Sequence, residues 1–262
     1  MGESNDGIAG GIFAVTGGTQ GVGETVALAL AGAGAAGIVI CGRNTRNGAR
    51  VKEALEEKGA EAEFVEADLE VPGDCRKVIA ACDTRFGRID GLLNAAGLTE
   101  RGTIEDTTVE LWDRMFAINA RAPFILMQDA IKLMRREGTA GSIVNIITIS
   151  SYGGQPKLTP YAASKGALVV LTKNVAHSVR FDRIRVNGIN LGWTDTPGEH
   201  RVQRAEGRPE DWLVKAEAEL PFGRLVQTGD VAALCLFLFG AASGVMTGAV
   251  VDFDQTVMGA LD

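Results

Sequence analysis

Ile12-Phe13-Ala14-Val15-Thr16-Gly17-Gly18-Thr19-Gln20-Gly21-Val22-Gly23-Glu24-Thr25 is the stretch that decides the fold. The apolar run Ile12–Val15 breaks into a glycine-rich turn and then into a segment of helical character, so the order is strand, tight turn, helix. Glycines at 17, 21 and 23 let the backbone turn sharply and lie close to an anionic group. The first N–H groups of the following helix, with its dipole, favour that anion. In this context the turn reads as a dinucleotide pyrophosphate site contributed by Gly17, Thr19, Gln20, Gly21, Val22 and Gly23; the same glycines without the strand and helix would be an ordinary turn.

Outward from that unit, runs rich in Val, Ile and Leu recur at Gly37–Cys41, Glu63–Val65, Gly91–Leu93, Ser142–Ile149, Arg185–Ile189 and Ala249–Phe253, separated by segments of helical period. Continuous rather than alternating apolar strands are expected where helices cover both sheet faces. The fold class is therefore α/β, with a doubly wound, mainly parallel, seven-stranded sheet and right-handed crossovers. Thr45–Lys58 places Val51 and Leu55 four apart among charges and stops at Gly59, as a helix with a C′ glycine does. Thr25–Gly42 carries no charge, yet Gly32, Gly34 and Gly37 interrupt it, and it reads as helix, turn and strand rather than a membrane span. Val231–Phe239 is too short to cross a bilayer and reads as a buried helix. No spacer, low-complexity tract or repeat breaks the rhythm, so one domain over 1–262 is expected. The charge-rich stretch 193–220 between two strands reads as a functional insertion, a lid over substrate.

The chain has 262 residues, 46% hydrophobic and 23% charged, and a formal net charge of −7. That balance disfavours a nucleic-acid binder, which needs a basic surface. Cys41, Cys75, Cys82 and Cys235 are scattered and no secretory leader pattern precedes them, so reduced thiols serving as small apolar filler in a cytoplasmic protein are expected. The two histidines, His177 and His200, lie far from any cysteine pair, and no metal site is expected.

The spacing Gly17-x-x-x-Gly21-x-Gly23 resembles the fingerprint of the short-chain dehydrogenase/reductase family rather than the two-residue-shorter form of long-chain Rossmann enzymes. The resemblance continues in order through Ala67-Asp68-Leu69, Asn94-Ala95-Ala96-Gly97, Asn119, Tyr161-Ala162-Ala163-Ser164-Lys165 and Asn190-Leu191-Gly192, and so covers nearly the whole chain. It implies a single-domain Rossmann fold and an NAD(P)-dependent oxidoreductase that interconverts an alcohol and a carbonyl. It further implies that Asp68 and the Leu69 backbone hold the adenine, that Asn94, Ala95 and Gly97 line the cofactor cleft, and that Leu191, Gly192, Thr194 and Thr196 meet the cofactor toward its nicotinamide end. Standing alone, Asp68 would read as a turn cap and Asn94 as a satisfied strand end. At the end of the second strand, where a carboxylate would bond the ribose hydroxyls, stand Gly42-Arg43-Asn44. With no acid and a guanidinium suited to phosphate, Arg43 and Asn44 favour NADP, while NAD use stays open because no second basic residue sits in the glycine turn.

Tyr161 and Lys165 are four apart in a segment whose apolar period continues through Leu168, Leu171 and Val175, so they share one helix face. A phenol titrating near about 10 becomes a useful acid or base only beside positive charge, which Lys165 and an oxidised nicotinamide supply. The resemblance implies that Tyr161 exchanges the substrate proton, that Lys165 also holds the nicotinamide ribose, and that Asn119 supports a water and proton relay toward the lysine. The family's serine, thirteen residues before the tyrosine, is here Thr148. Threonine keeps the hydroxyl but adds a methyl and a stiffer rotamer. Ser150 is the alternative hydroxyl or a substrate contact, on the same side as Thr148 if the strand persists.

Ser150, Tyr152, Gln155 and Trp193, with Pro156 and the lid residues Glu199, His200, Arg201, Arg204, Arg208 and Trp212, make a polar rim. A sugar, polyol or other polar substrate leads. A 3-oxoacyl or other ketone reductase is the alternative enzyme, and a non-catalytic dinucleotide-binding regulator the alternative of another class. Phe124, Ile125, Leu126, Leu168, Val169 and Val170 exceed what one sheet can cover, so a homo-oligomer is expected, a tetramer by the family resemblance. The apolar segment Val257–Leu261 would join that interface or lie over a substrate pocket.

Overall fold

The computed structural model describes residues 7–257. Its main sheet contains β1 (Ile12–Thr16), β2 (Gly37–Gly42), β3 (Glu61–Glu66), β4 (Gly91–Asn94), β5 (Ser142–Ile146), β6 (Arg185–Leu191) and, after two short strands β7 (Thr194–Asp195) and β8 (Val226–Gln227), β9 (Val250–Phe253). The order is β3-β2-β1-β4-β5-β6-β9, and every neighbouring pair is parallel. The helices are α1 (Gly21–Gly32), α2 (Thr45–Glu57), α3 (Pro72–Phe86), α4 (Val109–Phe116), α5 (Ala122–Glu137), α6 (Thr159–Val179), α7 (Pro197–Ala205), α8 (Trp212–Ala218) and α9 (Thr228–Phe239).

The pleat divides the apolar strands between two cores. Phe13, Val15, Ile38, Ile40 and Val144 pack with Val26 and Leu30 of α1, Val51 and Leu55 of α2, and Val231 and Leu238 of α9. Ala14, Val39, Leu92 and Ile143 point the other way, to Val78 of α3, Leu126 of α5 and Ala176 of α6. Each fully buried Leu, Ile or Val contributes roughly 1.5–3 kcal/mol of transfer free energy, which is why these runs are apolar on both faces. The edge strand β3 is the exception: Glu61 and Glu66 are exposed and Glu63 half-buried, charges that keep an edge from pairing with another chain. Gly91 is required by packing, since a Cβ there would sit 2.4 Å from the Phe13 ring, which meets Phe239 edge to face.

The expected seven-stranded, doubly wound sheet is present, and helix Thr45–Glu57 ends at Lys58 with Gly59 in the left-handed region. One strand is shorter than the sequence suggested. β5 stops at Ile146, because the Thr148 hydroxyl accepts the Ser150 N–H at 3.2 Å and starts a 3-10 turn over Ile149–Tyr152. Asn119 lies in a wide π turn, Ala117–Arg121, between α4 and α5 rather than in a regular helix. Of the six apolar residues expected to be in excess, Ile125, Leu126 and Leu168 are buried and Val169 is half-buried, leaving Phe124 and Val170 exposed at 47% and 58%. All four cysteines are buried free thiols. Val257 is exposed, and the rest of the apolar segment to Leu261 lies outside the described residues. Among the described residues no helix is long and apolar enough to cross a membrane.

Strand order reverses at β1, between β2 and β4, and opens a crevice at the C-terminal strand ends where the residues singled out by sequence collect. A cleft of about 570 Å³ at the opposite, N-terminal ends, lined by Gly11, Arg88, Asp90 and Glu137, touches none of them.

Candidate active site

The crevice floor is built by Thr16. Its hydroxyl accepts the N–H groups of Ala95 and Ala96 at 3.1 and 3.2 Å and donates to Leu93 O, tying the ends of β1 and β4 together. Gly17 has φ +63°, and a Cβ on it would lie 2.9 Å from Ala96 Cα; a Cβ on Gly23 would lie 2.4 Å from Gly17 O. No side chain caps α1, although Gln20 stands at its N-cap, so the N–H groups of Gly21, Val22 and Gly23 remain open to an anion. Thr19 is buried against Gly42 of β2, and Thr196 lies 3.7 Å from the place of a Cβ on Gly21.

Arg43 and Asn44 follow β2. Asn44 accepts Asn47 N at 2.9 Å and caps α2, whereas Arg43 is exposed, with no hydrogen-bond or ion-pair partner among the described residues. Asp68 occupies the turn that its residue type allowed. Its Oδ1 accepts Glu70 N at 3.0 Å and its own N–H donates to Asp74 Oδ2 at 2.9 Å, two residues past the end of β3. Asn94 donates to Asn145 Oδ1 at 2.8 Å, while its own Oδ1 is buried with no hydrogen-bond partner among the described residues. The glycine cradle, the open N–H groups and this orphaned oxygen together fit a bound dinucleotide.

Tyr161, Lys165, Thr148 and Asn119 meet at the end of β5. The Thr148 hydroxyl lies close enough to the Tyr161 phenol to favour its ionised form. Lys165, almost fully buried, donates from Nζ to Ile146 O at 2.8 Å. Asn119 accepts Leu98 N at 2.8 Å and donates to Leu98 O and to Ser164 Oγ, which in turn donates to Tyr161 O. A Cβ on Gly97 would be 3.5 Å from Asn119 Oδ1 and 3.6 Å from Lys165 Nζ, so both groups face one small space. Burial favours the neutral form of each titratable group here. It pushes the Tyr161 phenol up to about 12, with the Thr148 hydroxyl and Arg101 pulling it down and Glu199 pushing it up. It brings the Lys165 ammonium down to about 8. The arrangement can therefore hold a neutral phenol against a substrate oxygen and shift it toward phenolate when a cation approaches.

Ser150 lies beside Thr148, their hydroxyls 3.3 Å apart, and donates to Gln155 Oε1 at 2.6 Å. Tyr152 is elsewhere engaged: its hydroxyl donates to Asp252 at 2.8 Å, and Asn190 donates to the same carboxylate. Trp193 donates to Glu199 Oε1, which also accepts from the buried Gln203, and Trp193 stacks on Trp212. Leu191 and Gly192 end β6, Gly192 lying so close to Asp254 that a side chain would not fit. Thr194 donates to Gly192 O, and Thr196 caps α7 by accepting Glu199 N. Sequence reasoning missed Asn145, Ser164 and Arg101. Arg101 pairs with Glu206 at 2.8 Å, and nothing in its local sequence signals that its charge reaches Tyr161. Among the described residues no cluster of His, Cys, Asp or Glu is arranged to hold a metal ion.

A family model described as enoyl-(acyl carrier protein) reductase matches residues 17–256. The chain is 30% identical to the NADP-dependent (R)-specific alcohol dehydrogenase of Lentilactobacillus kefiri over 96% of this chain and 98% of that one. It is 32% identical to gluconate 5-dehydrogenase of Gluconobacter oxydans over 92% and 91%. Among solved structures, L-sorbose reductase from Gluconobacter frateurii, complexed with NADPH and L-sorbose, superposes with a TM-score of 0.92 at 26% identity, covering 98% of this chain and all of that one.

Proposed function

Since the chain belongs to the short-chain dehydrogenase/reductase family, an oxidoreductase family acting on alcohol and ketone groups, we propose that it interconverts a secondary alcohol and a carbonyl with Tyr161 as the acid/base. The observation that carries this reading is the meeting of Thr148, Tyr161, Lys165 and Asn119 beside an anion-ready glycine turn. Gly17, Gly21, Gly23, Asp68, Asn94, Gly97 and Thr196 would hold a nicotinamide dinucleotide, which would supply the hydride chemistry and, when oxidised, a positive charge. In reduction, Tyr161 gives its proton to the carbonyl oxygen, which Thr148 orients; in oxidation the same phenol takes the proton back. Lys165 would hold the nicotinamide ribose of the bound cofactor, and Asn119, fixed by the Leu98 backbone, would support a water and proton relay toward the lysine. The chain acts as one domain, with 193–220 as a lid.

A sugar, polyol or other polar substrate suits the rim, where the charges of Arg101 and Glu199 reach Tyr161 and the Ser150–Gln155 pair adjoins Thr148, all groups able to orient hydroxyls. The relatives named for gluconate and L-sorbose support that class. The second reading, a 3-oxoacyl or other ketone reductase, is favoured by the description of the matching family model. Nicotinamide absorbance followed with a panel of polyols, sugars, acyl thioesters and simple ketones decides between them. Turnover of the polyols or sugars supports the first, turnover of thioesters alone the second, and dinucleotide binding with no turnover moves the weight to a regulator. The exposed Phe124 and Val170, and Trp112 stacked on Phe116, support a homo-oligomer, a tetramer in this reading, acting in the cytoplasm.

NADP is the preferred cofactor in this reading, because Arg43, exposed and without an ion-pair partner among the described residues, stands where a carboxylate would exclude a 2′-phosphate. Arg43→Ala is expected to weaken NADPH about ten-fold or more while leaving NADH within about two-fold, measured by fluorescence titration. Equal losses for both would remove the 2′-phosphate role. Thr148→Ser is expected to keep turnover within about three-fold, and Thr148→Ala to lower kcat by roughly 10²-fold. If Thr148→Ala is mild while Ser150→Ala destroys activity, Ser150 carries the orienting hydroxyl instead.

A further inference from the structure

After Thr196 the chain turns into α7 and lays that helix against the glycine turn. Arg201, in the second turn of α7, donates from Nη2 to Gln20 Oε1 at 3.2 Å, across 181 residues of sequence. Gln20 is the N-cap residue of α1, immediately before the open N–H groups of Gly21, Val22 and Gly23. Arg201 is exposed and has no carboxylate partner among the described residues. The acid of that first turn, Glu24, is already taken by Arg50 through two bonds of 2.7 Å. A neutral amide oxygen satisfies only one of the five N–H donors of a guanidinium, and a planar fork of donors suits phosphate oxygens better. Arg204 and Arg208, the other cations of the same stretch, make no bond to the turn.

We propose that Arg201 clamps the pyrophosphate of the bound dinucleotide, exchanging the Gln20 amide for a phosphate oxygen and so fastening the 193–220 segment over the cofactor. The inference rests on the dinucleotide reading above and adds a cation that the glycine turn itself lacks. It separates two arginines by what they recognise: Arg43 meets only the 2′-phosphate, whereas Arg201 meets the pyrophosphate common to NAD and NADP. Because the clamp is carried by the lid, occupancy of the cofactor site favours the closed segment.

The test is calorimetric titration of the intact wild-type protein, Arg201→Met, Arg201→Lys and Arg204→Met with ADP-ribose, NADH and NADPH. ADP-ribose has the pyrophosphate but no nicotinamide and no 2′-phosphate. Arg201→Met is expected to raise the Kd of all three about ten-fold or more, with partial recovery in Arg201→Lys and no change in Arg204→Met. A Kd for ADP-ribose within two-fold of wild type in Arg201→Met overturns the clamp, as does a loss confined to NADPH. Wild-type protein that binds none of the three removes the dinucleotide reading and the clamp with it, a result distinct from failure of the clamp alone.

Discussion

Tyr161→Phe is expected to lower kcat by about 10²–10⁴-fold while leaving the Kd for reduced dinucleotide within about two-fold. The substitution removes one oxygen and keeps the ring, so packing around the half-buried side chain is conserved. The Thr148 hydroxyl loses a neighbour but keeps its bonds to Ser150 N and Oγ, and no buried donor or acceptor is stranded. Lost turnover with retained cofactor affinity is therefore a chemical loss rather than unfolding. Steady-state rates with the best substrate of the panel, beside a fluorescence titration, measure both. Ordinary turnover in the variant would take the acid/base role from Tyr161.

Lys165→Met is expected to lower kcat on a similar scale, about 10²–10⁴-fold, and to raise the dinucleotide Kd about ten-fold. The side chain is of similar length and apolar, which relieves the buried ammonium but leaves Ile146 O without its 2.8 Å donor. Its effect on pH dependence is diagnostic. Burial lowers Lys165 to about 8, so in the wild type the ammonium is present below that pH and lost as pH rises through it. The phenol, raised to about 12, stays protonated over the same range. Wild-type carbonyl reduction should therefore fall as pH climbs past about 8, and the residual rate of Lys165→Met should lack that limb. A variant with the same falling limb would assign the titration to another group.

How much of this was legible in sequence follows from how local each determinant is. β1, β2, β4 and β6 were readable because both their faces are buried and their apolar runs are unbroken, while β3, at the edge, was read short because its ends are glutamates. β5 was read long because Ile147 and Ile149 continue the apolar pattern; the competing hydrogen bond from Ser150 N to Thr148 Oγ1 ends the strand. Tyr161 and Lys165 were readable because one helix carries both at a spacing of four. The Asp252 partner of Tyr152 lies 100 residues away, and the Arg201 partner of Gln20 lies 181 away. Such pairings are made by the sheet order, and no local pattern encodes them. The π turn holding Asn119 is likewise invisible to a 3.6-residue period, and Asn119 was singled out only through the family resemblance.

The central claim is direct hydride transfer with the hydroxyl proton supplied through Tyr161. Its most direct test is reduction of a ketone or ketose by dinucleotide carrying deuterium at the transferring nicotinamide C4 position, with mass analysis of the alcohol. One deuterium is expected on the carbinol carbon of the wild-type product, with Tyr161→Phe forming that product about 10²–10⁴-fold more slowly. Alcohol formed without that deuterium, or labelled equally fast by both proteins, would contradict it.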